Sequence, residues 1–353
     1  MSRPRIGVIG AGAWAVSAHL PAIRARRDEV DLVAVSGAAA SIRRIADVFD
    51  CPVASVDYQD VLAAECDAVV VSSPGGVHFL HAMSAMDAGA HVLCEKPMTL
   101  EPSEAWTLTD AAQAAGRHLV VSFGWNFMPI VRDAVRLLHE RSIGELEQIS
   151  ISMSSQTREL LLNTGSYPDA SPESIPEPST WTDPRLAGGG YAQAQLSHAL
   201  GLSLALIDEQ VSDVFAWMSS PVTGGVELHD AISMRFANGA VGTLSGGSAH
   251  LGANGNKHHL AVRGIGSRGQ FLVDVDREAV VVYTDGRETA LSLAENAGSY
   301  VPSGPVNGFL DLVLGATSVN PAPGPLGAHS VDVLEAAYRS ARQGAPATCC
   351  GRW

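Results

Sequence analysis

The chain has 353 residues, 46% of them hydrophobic and 17% charged, enough to bury a full core and, at this length, to form two domains. Lys and Arg total 23 against 37 Asp and Glu, and the net charge of −14 would repel phosphate backbones and anionic lipid, so neither nucleic acid nor a membrane surface is expected as a partner. Five cysteines with no CxxC pair argue against a disulfide framework and against a structural zinc site; free thiols and no metal are expected.

The opening MSRPRIGVIGAGAW carries two early arginines, but its apolar run is short and broken by glycine, unlike a signal core or a membrane span. Residence in the cytoplasm is the resulting expectation. RIGVIGAG reads as a strand and a glycine turn, AVSAHLPAIRAR as a helix, VDLVAVSG as a strand and SIRRIADVFD as a helix. CDAVVVSSP then reads as a strand, HFLHAMSAMDAG as a helix and HVLCEKP as a strand, with PSEAWTLTDAAQAAGR and HLVVSFGW adding one more of each. This alternation predicts an α/β architecture with a parallel, doubly wound Rossmann sheet over residues 1–122.

From about residue 147 the texture changes to longer runs rich in β-branched residues, LEQISISMSS, QVSDVFAWMSS, DAISMRFANGAVGTLSGGSAH and KHHLAVRGIGSRGQFLVDVDREAVVVYTDG. Asn-Gly inside FANGAVG is a strong hairpin signal. NTGSYPDASPESIPEPST, full of Pro, Ser and acids, reads as an excursion loop, and AHSVDVLEAAYRSARQG as a helix stopped by glycine. Residues 123–353 are therefore expected to form an α+β domain with a large, mainly antiparallel open sheet, serving substrate binding and oligomerisation.

Gly10, Gly12 and Ala15 satisfy G-x-G-x-x-G/A between a predicted strand and a predicted helix, with Ala13 and Trp14 opening that helix. Gly10 permits the tight turn, Gly12 lets backbone approach a pyrophosphate, and the helix N-terminus supplies amide donors. At the start of a β-α-β series this predicts dinucleotide binding. The second strand ends in Ser36-Gly37, where an acid would bind the ribose hydroxyls of NAD, and Asp31 sits at the wrong end of that strand. Ser41, Arg43 and Arg44 on the next turn offer hydroxyl and guanidinium donors to a 2′-phosphate, so NADP is favoured over NAD; the alternative is that both arginines lie on a solvated helix face. Ser73, Pro74 and His78 follow the third predicted strand and border the nicotinamide side, with His78 equally readable as a helix-start residue packed at the surface.

Glu95-Lys96-Pro97 ends the next strand. Lys96 there would project into the crevice where nicotinamide and substrate meet, with a pKa lowered by desolvation and by the positive ring, suited to exchanging a proton with an alcohol. Pro97 stiffens the backbone that aims the amine, and Glu95 either fixes the loop or meets the cofactor amide. A surface salt bridge at a strand end is the plain alternative.

Taken in order, IGVIGAGAWA, SSPGGVH, HVLCEKPM, FGWNFMP, GGGYAQAQLSH, MRFANGAVGTL and LEAAYRSARQG resemble the Gfo/Idh/MocA family, the group of glucose-fructose oxidoreductase and inositol dehydrogenase, over essentially the whole chain. The resemblance implies a Rossmann domain, an open C-terminal sheet that forms homodimer or homotetramer contacts, reversible oxidation of a hydroxyl on a sugar or polyol, and Lys96 as the catalytic lysine. It also implies His198 as the histidine of the second catalytic motif, whose aspartate position is here filled by Ala194. Tyr191, Gln195 and His198 are spaced to share a helical face, and Gln195 is expected to orient substrate hydroxyls or His198. Trp125 and Asn126 stand where many members carry basic residues, suggesting a neutral hydroxylated substrate, Trp181 suits stacking on a sugar face, and Arg158 is the one candidate pocket cation.

The leading reading is thus an NAD(P)-dependent oxidoreductase acting on a carbohydrate-like alcohol or ketone. Two others compete with it: a glycoside-cleaving enzyme using held NAD for transient oxidation, and a non-catalytic dinucleotide or sugar sensor, motivated by Ala194 and opposed by the intact Lys96 and His198.

Overall fold

The computed structural model describes residues 2–165, 175, 177–221, 225–249 and 258–352. Six short parallel strands form the first sheet, namely β1 (Arg5–Ile9), β2 (Asp31–Ser36), β3 (Val53–Ser55), β4 (Ala68–Val71), β5 (His91–Cys94) and β6 (Leu119–Val121). Their order is β3-β2-β1-β4-β5-β6, so the direction of winding reverses between β1 and β4 and a crevice opens at the carboxyl ends there. Every residue of β4 is fully buried, as expected of a parallel strand covered by helices on both faces. The predicted helix over PSEAWTLTDAAQAAGR spans Pro102–Ala115, with proline in its first turn and Gly116 at φ +60° closing it.

The second sheet has nine strands in the order β14-β13-β12-β11-β7-β10-β9-β8-β15. These are β7 (Leu146–Ser155), β8 (Val211–Ser219), β9 (His229–Phe236), β10 (Val241–Ser248), β11 (His259–Gly266), β12 (Gly269–Asp274), β13 (Ala279–Thr284), β14 (Arg287–Ala290) and β15 (Ala347–Thr348). All neighbours run antiparallel except β7 and β10, which are parallel, so the sheet is mixed and mostly antiparallel. In β9 burial alternates strictly along the strand, and the buried side meets helical cover while the other side is open. The Asn-Gly signal marks the β9–β10 hairpin, where Gly239 takes φ +91° and Asn238 Oδ1 accepts the amide of Ala240.

One helix absent from the sequence reading and one that starts earlier than expected matter for the site. The helix Gly304–Val313 packs Val306, Phe309, Leu310 and Leu312 into the same core as Ile6, Val8 and Val70 of the first sheet. The terminal helix begins at Gly324, four residues ahead of the predicted Ala328, and runs to Gln343, with Gly344 at φ +64° stopping it. Its early glycines lie outside the predicted helix, yet they let the helix lie against β6, since a Cβ at Gly327 would stand 2.6 Å from Val121 Cγ2. We propose 122/123 as the domain boundary, at the end of β6; the chain nevertheless returns to the first sheet through Gly304–Val313 and through the amide of Val121, which donates to Ala322 O at 2.8 Å. Most of the expected excursion loop, residues 166–174 and 176, lies outside the described residues.

Asn126 links these segments. Its side-chain amide donates to Gly201 O and to Pro321 O, both at 3.1 Å, and the residue is 2% exposed. Replacing Asn126 with Ala strands two buried carbonyls and is expected to cost about 2 kcal/mol or more, read as a lower urea midpoint at unchanged m-value.

Candidate active site

The glycine turn after β1 is built for close approach. Gly10 has φ +87°, and a Cβ there would stand 2.3 Å from the backbone nitrogen of Ser73, so no other residue fits. Ser36 O accepts the amides of Gly10 and Ala11 at 3.0 and 2.7 Å, which ties the turn to the end of β2. A Cβ at Gly12 would meet only Gly10 O at 4.0 Å, leaving open space in front of the helical run that starts at Ala13 and Trp14. An open glycine face before a helix N-terminus is a cradle that fits a pyrophosphate. Ser36 is buried, Gly37 lies against Ala11, and Arg43 is exposed on the following helix. Asp31, at the far end of β2, pairs with Arg3 at 2.6 Å, so no carboxylate stands at the ribose end of that strand.

On the other side of the crevice, Ser73 Oγ meets His81 Nδ1 at 2.8 Å and Pro74 continues in extended backbone. His78 is not a surface residue. It is 1% exposed and its ring nitrogens face Pro97 O at 2.8 Å and Ser73 O at 2.6 Å, pinning the loop after β4 to the loop after β5. Burial lowers its pKa against the opposing pull of those carbonyls.

Glu95 is the hub of the crevice. Oε1 accepts from Trp14 Nε1 at 2.9 Å and meets His19 Nε2 at 2.9 Å, and Oε2 accepts the amide of Lys96 at 3.2 Å. Glu95 thus fixes the loop, joining the helix behind the glycine turn to the end of β5. Burial pushes its carboxyl up, but the hydrogen bond and charge of His19, the charge of Lys96 and a hydrogen bond from Ser122 together outweigh this and hold its pKa below the ordinary value.

Lys96 points into the crevice and donates from Nζ to Ala194 O at 2.5 Å, with the Trp181 ring centroid 5.9 Å away. Part of the side chain still meets solvent. The dense surround of its ammonium nevertheless desolvates it, and despite the opposing charge of Glu95 its pKa falls to about 8. Its direct partner is therefore an uncharged carbonyl, at the position where the resemblance implies an aspartate.

The glycine run delivers that carbonyl. A Cβ at Gly190 would stand 2.1 Å from Glu227 O, and the Glu227 carboxylate accepts the amides of Gly190 and Ala192 and the hydroxyl of Tyr338 at 2.6 Å. The helix that follows starts with a wide turn over Ala192–Leu196 and continues as Ser197–Leu206, carrying His198. His198 is 7% exposed, its Nδ1 has no partner among the described residues, and its pKa is held well below the usual value by burial, then by Lys96 and His258. Its ring makes edge contacts with Phe123 and Tyr300 at 6.4 and 6.3 Å.

Among the residues read from sequence, Lys96, Ala194, Trp181 and His198 come together. Trp125 joins them through Tyr300, at 4.8 Å between centroids. Gln195 is buried in the wide turn that leads into the helix of His198, whereas Asn126 is spent on backbone carbonyls. Arg158 opens the short helix Arg158–Leu161, half-buried, with its amide on Ala249 O. Three participants were missed. His19 had a helical context only, His258 stands ahead of β11 in KHHL, and Tyr300 lies in a segment without periodicity, so no local pattern pointed to the crevice.

The glycine turn, the desolvated Lys96 and the buried His198 thus stand together at the carboxyl ends of the first sheet's strands and the start of the second domain's helix. Two family models match the chain, "Oxidoreductase family, NAD-binding Rossmann fold" over residues 4–123 and "GFO/IDH/MocA C-terminal domain" over 131–272. The chain belongs to the Gfo/Idh/MocA family. It is 33% identical over 133 residues to D-xylose 1-dehydrogenase (NADP(+)) 2 of Haloferax volcanii, covering 37% of this chain and 41% of that protein. It is 34% identical over 143 residues to inositol 2-dehydrogenase 4 of Saccharopolyspora erythraea, covering 40% of this chain and 42% of that protein. The matched stretch is thus about two fifths of each relative's length. The solved structure of GenD2 from gentamicin A biosynthesis, in complex with NAD, superposes over 99% of this chain and 97% of its own with a TM-score of 0.75 at 23% identity, a likeness of fold.

Replacing Glu95 with Ala leaves His19 buried without its carboxylate and is expected to cost about 3–5 kcal/mol, measured by thermal or urea unfolding. Because the folded pKa of Glu95 lies below the unfolded value of about 4.3, its contribution is fully present above that value and is lost as pH falls through the folded one. The wild type should therefore show an acid limb of stability that the variant lacks.

Proposed function

We propose that the protein is an NADP-linked dehydrogenase or reductase acting on a hydroxyl or keto carbon of a sugar, polyol or related neutral small molecule. The observation that carries this reading is Lys96, desolvated at the carboxyl end of β5 and bonded to the Ala194 carbonyl, with the buried His198 near it, whose Nδ1 has no partner among the described residues. Bound nicotinamide would supply the hydride acceptor or donor. The cradle of Gly10, Gly12, Ala13 and Trp14, with Ser36, Gly37, Ser73 and Pro74 around it, would hold that cofactor; His78, expected among these residues, instead pins the loops behind it, and Glu95 would keep the two walls in register. In the oxidative direction Lys96, as the free amine, accepts the hydroxyl proton, and His198 orients the same hydroxyl. A pKa of about 8 leaves a useful share of free amine near neutrality.

The acid-free end of β2 and the exposed Arg43 support NADP over NAD. NADP is expected to bind more tightly than NAD, with Arg43→Ala weakening NADP about tenfold and leaving NAD unaffected. Equal binding of both nucleotides would contradict the preference. The open side of the second sheet, carrying Trp217 at 66% and Tyr283 at 41% exposure, supports a homo-oligomer built on that sheet.

Two further outcomes test the chemistry. Lys96→Ala should lower turnover by a factor on the order of 10²–10⁴ without loss of cofactor binding. The oxidative rate in wild type should rise with pH through about 8, and Ala194→Asp should move that limb upward by about 1 unit or more, because an adjacent carboxylate favours the ammonium. A profile unmoved by Ala194→Asp would separate Lys96 from the titrating step. Ala194 also keeps one other reading in view, the non-catalytic sensor, for which the expected result is nucleotide binding with no turnover of any sugar or polyol by wild type.

A further inference from the structure

Ser73 stands where the order of strands in the first sheet reverses, and its hydroxyl is held by a histidine. Its backbone touches the glycine turn, since a Cβ at Gly10 would stand 2.5 Å from Ser73 Cα, so the serine belongs to the wall of the dinucleotide cradle. Its Oγ meets His81 Nδ1 at 2.8 Å. His81 lies one turn into the helix His78–Asp87, three residues past the His78 that pins the loop, so one helix start fixes this loop twice.

The imidazole of His81 is fixed in turn. The Tyr58 ring lies against it at 4.5 Å between centroids, tilted by 47°. Tyr58 is anchored by its own carbonyl, which accepts the amides of Val61 and Leu62 at 3.0 and 3.3 Å. The strand before it, β3, is tied to the end of β2, where Ser55 O accepts the amide of Gly37 at 3.1 Å. The ends of the first four strands therefore converge on the one serine hydroxyl.

A serine hydroxyl has one proton to donate and two lone pairs, and it rotates to suit its partners. With one direction taken by His81, what it offers a ligand depends on which of the two donates. If Nδ1 is bare, Ser73 donates to it and presents only lone pairs to the cradle. If Nδ1 carries the proton, the imidazole donates to Ser73 Oγ and the serine proton points elsewhere. Burial and then the charge of His78 lower the pKa of His81, so near neutrality the ring holds a single proton that either nitrogen can carry. The ring is half-buried and exchanges that proton with solvent. The phosphate oxygens of a dinucleotide accept hydrogen bonds and donate none, which favours the second arrangement.

We propose that His81 is a positioning residue for the dinucleotide: as the Nδ1–H tautomer it donates to Ser73 Oγ and turns the serine proton toward a phosphate oxygen of the bound cofactor. No net proton is taken up, because the ring only moves its one proton between its nitrogens. This rests on the dinucleotide binding of the oxidoreductase reading given above and adds to it a residue that itself touches no ligand.

The test uses the full-length protein labelled with ¹⁵N-histidine, saturated in turn with NADP and with NAD, with the His81 ring nitrogens assigned by the signals lost in His81→Asn. In the complex Nδ1 should carry the proton and Nε2 should be bare. Nucleotide affinity is measured by calorimetry for wild type, His81→Phe, His81→Asn, Ser73→Ala and the Ser73→Ala, His81→Phe double variant. His81→Phe keeps a ring against Tyr58 but removes the partner of Ser73, and it should weaken binding about fivefold. His81→Asn, whose amide can stand in for Nδ1–H, should recover most of that loss. Because His81 acts only through the serine, the double variant should bind no more weakly than Ser73→Ala alone. Additive losses in the double variant, or a bare Nδ1 in the nucleotide complex, would overturn this proposal and leave the oxidoreductase reading intact. Wild type that binds neither nucleotide would count against both. Should His81→Phe fail to fold, the ring-nitrogen state in the wild-type complex still decides.

Discussion

The buried carboxylate of Glu95 is the constraint on which the site depends. It accepts from Trp14 and from the amide of Lys96 and pairs with His19, so a single side chain joins the helix behind the glycine turn to the end of β5. An unpaired carboxylate at 8% exposure would be costly, and only the full set of partners makes the charge tolerable there. The consequence is geometric. The cradle for a dinucleotide and the amine that would act beside it cannot drift apart without breaking bonds to the same carboxylate.

The second wall of the site is set by backbone rather than by charge. Glu227 collects the amides of Gly190 and Ala192 and the hydroxyl of Tyr338, which fixes the start of the helix carrying His198 and presents Ala194 O to Lys96. With a carbonyl in place of a carboxylate, desolvation outweighs attraction and the lysine keeps a low pKa. Beside this uncharged partner the ammonium form of Lys96 is favoured less than it would be beside a carboxylate. On the same wall Trp125, Tyr300, His198 and His258 are linked by ring contacts.

Much of this was legible locally. The β1 turn, the Glu95-Lys96-Pro97 strand end and the Asn238-Gly239 hairpin each depend on residues adjacent in sequence, and the alternation of short apolar strands with helices fixed the first sheet. What escaped was set by topology. β3 is a three-residue edge strand, too short to show a period, and Gly324 and Gly327 fell outside the predicted helix because their place is set by β6 packed against them. Asn126 read as a substrate residue because it stands where many members of the resembled family carry basic residues, yet its amide brackets Gly201 and Pro321. His258 and Tyr300 meet His198 only because the second sheet and the returning chain bring them there, and nothing in KHHL or in the segment around Tyr300 announces it.

The central claim is that Lys96 sits in the crevice as a lysine with an acidic shift, held by a neutral partner. The direct measurement is the titration of its side-chain nitrogen by NMR in lysine-labelled protein, assigned by the signal lost in Lys96→Arg. A midpoint near 8 is the expected result. A midpoint at or above the ordinary lysine value of about 10.4 would contradict the account, because an ammonium that stays charged throughout the working range could not serve as the base.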